Sequence, residues 1–273
     1  MIVNYQNYYR KIYERYGNVR RARGFYLYTE KGQRLIDMCL DGARSVLGRR
    51  QGALNLQLKQ KLDKGMLGFF PSPAEYQLEK ILAAIFPNCC FKIFASGNQA
   101  FDTAQKILMQ PHCSQEKITW RPFANGFKDS VCSEKCFLVA PLFASNITIL
   151  CIDKSGADTT PLTEIHSDTI SQAEAFAVAK SFYEMLRARE QYSPELFQHA
   201  VLQQFKTRFE LEGIYLFPKE SFQKNPQKYR HLWEYFLDNK ILLSPNLETP
   251  SVFPLLQHYR EIEKALAQSE FQC

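Results

Sequence analysis

No stretch of the 273-residue chain approaches the roughly 20 uninterrupted apolar residues that a membrane-spanning helix needs. The first ten residues are rich in tyrosine and show no short apolar run ahead of a small-residue cleavage site. Neither a spanning segment nor a secretory leader is expected, so the chain is read as soluble and cytoplasmic. Paired CxxC spacing is missing as well. The cysteines, Cys39, Cys89, Cys90, Cys113, Cys132, Cys136, Cys151 and Cys273, are scattered, unlike a small disulfide scaffold or a zinc module. Cys132 and Cys136 form at most half a metal site, and two reduced thiols describe them better. The five histidines, His112, His166, His199, His231 and His258, stand apart from one another and from any serine or cysteine nucleophile motif, which leaves histidine-based chemistry without a basis. Internal repeats and low-complexity tracts are absent too.

What is present is a composition able to form a core. Hydrophobic residues make up 45% and aromatics 14%, enough at this length for one sizeable core or two modest ones and incompatible with a disordered or fibrous chain. The formal charge of +6 gathers partly between Arg10 and Arg23, where Lys11, Arg15, Arg20, Arg21 and Arg23 interleave with tyrosines. Such a mixture suits nucleic acid or an anionic membrane. The spacing favours a plainer arrangement. Tyr5, Tyr8, Tyr9, Ile12, Tyr13 and Tyr16 recur at three- and four-residue steps, which makes one buried helical face with the cations solvated opposite. No nucleic-acid or membrane partner is expected.

Gly24–Tyr28 and Gln33–Met38 flank the polar turn Thr29–Gly32 and predict a β-hairpin. Leu54, Leu58 and Leu62 mark a helix, and Pro73 opens another with the stripe Leu78, Ile81, Leu82 and Ile85. A strand is expected at Cys90–Ala95, followed by the small polar turn Ser96-Gly97-Asn98-Gln99 and a helix through Phe101, Ala104, Ile107 and Leu108. Short apolar strands at Lys117–Trp120, Cys136–Leu142 and Ile147–Ile152 suggest a buried, largely parallel sheet. Further on, a long helix runs from Ser171 through Leu186, and a second starts at Pro194 and ends near Phe209. Gly213–Phe217 reads as a strand, Pro226–Leu237 as a helix, Lys240–Leu243 as a strand and Pro254–Ala267 as a last helix. The polar stretch Asp158–Pro161 is the best domain boundary.

Strand, small polar turn and helix is the order that aims free backbone N–H groups at an anion, so Ser96, Gly97 and Asn98 are a candidate anion site. The same residue types also serve an ordinary capped turn, with Ser96 or Asn98 as the cap. Both readings stay open on the residues alone.

The order of elements and several short strings resemble the class III aminotransferases similar to glutamate-1-semialdehyde aminomutase. Gly24–Tyr28, Gly32 and Leu35-Ile36-Asp37 resemble the family's opening hairpin, and Ser96–Ala100 resembles its S-G-T-E-A phosphate turn. Pro122–Phe127 resembles its Y-H-G-W turn, with Asn125 in place of the histidine. Thr169–Glu174 resembles its T-F-S-G-N-P segment, with Ala173-Glu174 in place of Asn-Pro. Gly213–Leu216 and Leu242–Pro245 resemble strands of its C-terminal domain.

The resemblance implies a fold-type I pyridoxal-phosphate transferase of the α/β class, with a reduced, mostly parallel central sheet flanked by helices and a smaller α+β C-terminal domain. The implied organisation is an N-terminal helix and hairpin (1–45) packing with the C-terminal domain, a shortened large domain (46–160) and the small domain (161–273). Pyridoxal 5'-phosphate is the implied cofactor, retained or lost, with a homodimer and a small amino-acid-like ligand as implied partners. Such a cofactor needs a phosphate cradle, a ring-stacking group, a carboxylate for the ring nitrogen and a Schiff-base lysine. By resemblance the cradle is Ser96, Gly97 and Asn98, with Thr169 reaching it from a neighbouring subunit. Asn125 and Gly126 hold the stacking turn, where asparagine has no π face and Phe123 or Phe127 would have to cover the ring. Asp153 is the ring-nitrogen partner in one registration, and Lys154 is the catalytic lysine in another. Adjacent residues at a strand end point to opposite sides, so this dipeptide does not serve both roles. The implied activity is transamination or aminomutation, reduced or lost, with an inactive dimeric binding or regulatory module as the alternative.

Overall fold

The computed structural model describes residues 5–49, 52–109, 115–124, 135–143, 145–154, 165–191 and 198–268. In chain order the helices are α1 (Tyr5–Tyr16), α2 (Gly52–Asp63), α3 (Pro73–Ile85), α4 (Gly97–Leu108), α5 (Gln172–Gln191), α6 (Ala200–Gln204), α7 (Glu220–Lys224), α8 (Pro226–Asp238) and α9 (Arg260–Gln268). The strands are β1 (Val19–Arg23), β2 (Tyr26–Thr29), β3 (Arg34–Asp37), β4 (Cys89–Phe94), β5 (Cys136–Val139), β6 (Thr148–Asp153), β7 (Phe209–Glu212), β8 (Tyr215–Pro218), β9 (Ile241–Leu242) and β10 (Ser251–Val252). They divide into two compact units, residues 1–50, 123–126 and 192–273 in the first and residues 51–122 and 127–191 in the second.

In the first unit α1 buries Tyr8, Ile12 and Tyr16, while Tyr9 and Tyr13 are 63% and 56% exposed. Among the described side chains the aromatic face is thus narrower than the spacing implied, with Tyr9 and Tyr13 outside it. Tyr16 Oη donates to the Leu237 carbonyl at 2.6 Å and ties α1 to the end of α8. Gly17, at φ +72°, donates its N–H to Tyr13 and closes the helix in the left-handed conformation that glycine tolerates. Arg20, Arg21 and Arg23 therefore lie on the exposed strand β1, at the edge of a sheet ordered β1-β2-β3-β9, and not on the polar face of a long helix. Charged residues on an edge strand discourage pairing with another chain, and the Arg21 guanidinium sits 5.2 Å over the Tyr28 ring.

The hairpin β2-β3 forms as the turn chemistry requires, and β9 joins β3 in parallel. The second sheet, β10-β8-β7, is antiparallel. Its strand β7 covers Phe209–Glu212, which the sequence placed at and beyond the end of a helix; described residues of that helix are the short α6 and a 3-10 turn at Phe205–Thr207. Residues 254–259 are not helical, and α9 starts at Arg260. Proline at 254 lacks the N–H a helix interior needs. In α8 the Asn225 side chain accepts from the Lys228 N–H and Pro226 opens the first turn, which is why its start was legible.

After β3 the backbone turns left-handed at Leu40, Asp41, Gly42 and Ala43, with φ from +44° to +69°. Such a conformation costs about 1–2 kcal/mol at each residue bearing a Cβ. A polar cluster holds it. Asp37, fully buried, accepts the Cys39 and Leu40 N–H groups at 3.1 and 2.9 Å. The Arg49 guanidinium bridges Asp37 at 2.7 Å and also Asp41, and the Ser45 hydroxyl donates to Asp41 at 2.7 Å.

The second unit is a three-stranded sheet ordered β4-β6-β5 between two helical layers. Phe137 and Val139 of β5 with Ile149 and Cys151 of β6 face α3 and α5, where Leu78, Ile81, Val178 and Phe182 meet them. Leu138, Leu150 and Ile152 face the other way, towards Ala100 and Ala104 of α4. Both pairings are antiparallel, so the sheet is not mostly parallel as expected. Burial on both faces gives the same apolar runs in either direction, and the sequence does not carry the sign. A parallel contact does occur at the isolated bridge Thr119–Leu138; residues Gln115–Ile118 before it are a 3-10 turn rather than the start of a strand.

The helix α5 belongs to this second unit. The expected boundary at 158–161 lies outside the described residues, and the change of unit falls after Gln191. The cause is the face of α5: its small buried residues Ala175, Val178 and Ala179 let it lie closely on α3. A capping box starts it. The Ser171 hydroxyl accepts from the Glu174 N–H, and the Glu174 carboxylate accepts from the Ser171 N–H at 2.9 Å and its hydroxyl at 2.7 Å.

Candidate functional site

The turn expected to hold an anion forms at the end of β4. Ser96 is the residue before α4, with φ −128° and ψ 125°, and its side chain makes no capping bond. Its carbonyl accepts from the Ala100 N–H. Ser96, Asn98 and Gln99 are exposed and Gly97 is half-buried. The ordinary capped-turn alternative is thus not realised through the Ser96 side chain.

A carboxylate stands beside the turn. Asp168 Oδ2 accepts the Ala95 N–H at 2.8 Å, one residue before Ser96, and the Asp168 N–H donates to the Ile93 carbonyl at 2.8 Å. The Ser167 hydroxyl accepts the Ile93 N–H at 3.1 Å. Residues 167–168 therefore run along the free edge of β4 and deliver a negative charge to the helix end whose dipole favours one. Asp168 is not among the residues that the sequence pointed to. Its only sign was an acid directly ahead of Thr169, which is itself exposed.

Asp153 and Lys154 lie elsewhere. In the antiparallel register Cys89 pairs with Asp153 and Phe94 pairs with Thr148. The Lys154 N–H donates to the Asn88 carbonyl at 2.9 Å, and the Asp153 N–H to the Lys135 carbonyl at 2.9 Å. Asp153 and Lys154 are thus at the start of β4, whereas Ser96–Asn98 follow its end. Five residue steps separate Cys89 from Phe94, roughly 17 Å along an extended strand. Lys154 instead lines a cleft of about 420 Å³ together with Lys92, Glu75 and Glu79. At the Ser96 end, the described residues following β4 and β5 and preceding β6, Ala95–Gln99, Ala140–Phe143 and Ser145–Ile147, include no lysine.

Asn125 and Gly126 lie outside the described residues, as do Phe127 and Cys132. Phe123, offered as a ring cover, is fully buried, and its carbonyl lies against Gly213. Among the described residues no group of three or more His, Cys, Asp or Glu is placed to hold a metal ion, and no helix is long and apolar enough to cross a membrane.

Together these positions fit a small anion at Ser96–Asn98 less well than the sequence suggested, since a carboxylate, Asp168, already stands on the Ala95 N–H one residue ahead of Ser96. They do not fit a pyridoxal phosphate whose phosphate sits there and whose reactive carbon meets Lys154.

No family model matches the sequence. An uncharacterised protein of Treponema pallidum is 30% identical over 303 residues, covering 93% of this chain and 94% of its own length. A glutamate-1-semialdehyde 2,1-aminomutase of Hyperthermus butylicus is 33% identical over 90 residues, which is 33% of this chain and 21% of that enzyme. Among solved structures, an (S)-enantioselective omega-transaminase from Thermomicrobium roseum superposes with a TM-score of 0.68 at 12% identity, covering 98% of this chain and 93% of that one. The chain belongs to the same family as the uncharacterised Treponema pallidum protein, on the fold of the fold-type I pyridoxal-phosphate-dependent aminotransferases.

Proposed function

We propose that this chain is an aminotransferase-fold protein that has lost Schiff-base transamination and serves as a homodimeric binding module. The observation that carries the reading is the β4–β6 register, which keeps Lys154 and Asp153 at the end of the sheet remote from Ser96–Asn98. A transaminase needs a lysine amine and a ring-nitrogen carboxylate within reach of one bound ring. The Asp168 carboxylate at the same turn supports the reading further, because it repels a phosphate dianion.

Support for self-association comes from the surface of the second unit. From α2 to the first turn of α3 the chain exposes Leu56, Leu67, Phe69 and Tyr76, each by more than 60%. Large exposed apolar side chains within one short segment mark an association surface more often than a free one.

The chemistry is tested by saturating the purified protein with pyridoxal phosphate, reducing with borohydride and mapping peptides by mass. The expected result is no phosphopyridoxyl lysine; an adduct on any lysine, with turnover of an amino donor and a keto acid, would overturn the proposal. Light scattering on wild type and Phe69→Asp tests the dimer. A monomeric wild type at micromolar concentration would remove that part.

A further inference from the structure

A concavity of about 340 Å³ opens in the first unit between α1, α8 and the loop after β9, within the range of small-molecule sites, about 300–1,000 Å³. Its walls are aromatic. Tyr8 comes from α1, and Tyr229 and Trp233 stand one turn apart on α8, so both point to the same side. Tyr8 and Trp233 have ring centroids 5.1 Å apart. Pro226 and Pro245 complete the lining.

The polar tips of two of these rings are already engaged by backbone. Tyr229 Oη donates to the Ser244 carbonyl at 2.7 Å, and Trp233 Nε1 donates to the Leu243 carbonyl at 3.1 Å. Both rings are held in one orientation by these bonds, so the wall is preformed and offers a guest mainly carbon.

The rim carries charge. Lys11 and Arg230 line the mouth, with the exposed Glu248 as the acidic residue among the lining groups. Both cations pair with the single carboxylate of Glu234, and the Lys11 ammonium lies 6.0 Å from the Trp233 ring. Burial, followed by the nearby Arg230 and Arg15 cations, holds the Lys11 ammonium below the usual lysine range. The two cations share one carboxylate at the mouth, and a guest's negative group would give them a second partner.

We propose that this cleft binds a planar aromatic anion, an aryl carboxylate or sulfonate, with its ring against Tyr8 and Trp233 and its acid group between Lys11 and Arg230. Ring contacts of this kind add to area burial, and the two cations select the charge. The site is built from the first unit's own residues and is independent of any cofactor chemistry in the second.

The chain has two tryptophans, Trp120 and Trp233, so a Trp120→Phe protein reports on the cleft through Trp233 alone. Titration with naphthoate should change Trp233 emission saturably. The neutral isostere naphthylmethanol, and naphthoate on the Lys11→Gln/Arg230→Gln variant, should bind roughly tenfold more weakly, the loss of two partly exposed charge pairs. No saturable change in Trp233 emission, or equal affinity for naphthoate and naphthylmethanol, would overturn the proposal. Should the double variant fail to fold, the comparison of the two probes on the Trp120→Phe protein decides by itself.

Discussion

Cys89 stands opposite Asp153 in the antiparallel pair of β4 and β6, and the register continues without a slip to Phe94 opposite Thr148. Because the Ser96 turn follows Phe94 and Lys154 follows Asp153, the two lie at opposite ends of the same strand pair. The consequences for the cofactor residues follow from strand length and direction, before any side-chain detail enters.

Lys154→Ala should therefore leave pyridoxal-phosphate affinity, visible absorption and thermal stability unchanged, within about the twofold range of an exposed substitution. Equilibrium dialysis and an absorption spectrum check this. A tenfold loss of cofactor affinity, or the disappearance of a visible band, would restore Lys154 as a Schiff-base residue.

Arg49→Ala removes the cation that bridges the fully buried Asp37 and the neighbouring Asp41. Leaving a buried carboxylate without its partner costs about 3–5 kcal/mol. Urea unfolding should show that loss, and Arg49→Lys should recover only part of it, because an ammonium lacks the planar fork that reaches both acids. A loss below about 1 kcal/mol for the alanine variant would mean that the cluster does not hold the left-handed turn.

Burial first, and then the Asp37 carboxylate, push the Cys39 thiol up to about 11. Tyr8, hydrogen-bonded to it, is pushed up as well, again by burial first. An acid whose pKa is raised on folding keeps its proton longer in the native state. Stability is then fully present below the ordinary thiol value of about 8.5 and falls as pH rises from there through the folded value. Unfolding at stepped pH should show this decline, and Cys39→Ala should flatten it. At pH 8 the native thiol should react with iodoacetamide far more slowly than the unfolded chain; equal rates would contradict its protected state.

Gly213 joins β7 to β8 at φ +61°, and a Cβ there would come within 1.9 Å of the Phe123 carbonyl oxygen. The obstruction is backbone, so no rotamer relieves it. Gly213→Ala should cost more than about 2 kcal/mol, from the left-handed conformation plus the displaced chain. Denaturant midpoints measure it, and a near-neutral substitution would show that the Phe123 backbone gives way freely.

Local chemistry made several elements readable. Ser72 accepts the Ala74 N–H ahead of Pro73 in α3, Asn225 and Pro226 start α8, and the stripe Leu78, Ile81 and Leu82 is buried as its period implies. Gly32 sits at φ +71° in the hairpin turn between β2 and β3, where it was expected. Other features depended on partners distant in sequence. Tyr9 and Tyr13 share the spacing of Tyr8 and Tyr16 but are exposed, whereas the latter pair meets α8 through the Trp233 ring and the Leu237 carbonyl. Asp168 became part of the candidate site only because its segment lies along β4.

Residue types and spacing by themselves determined the starts of α3, α5 and α8, the hairpin, the strand-turn-helix at Ser96 and the doubly buried strands, because capping, turn conformation and periodic burial are interactions within a few residues. Tertiary structure alone decided that β6 runs against β4, that Asp168 closes on Ala95, and that Lys154 lines a cleft at the other end of β4 from Ser96. Strand direction is set by pairing between segments more than fifty residues apart, and an apolar run buried on both faces looks the same whichever way it runs.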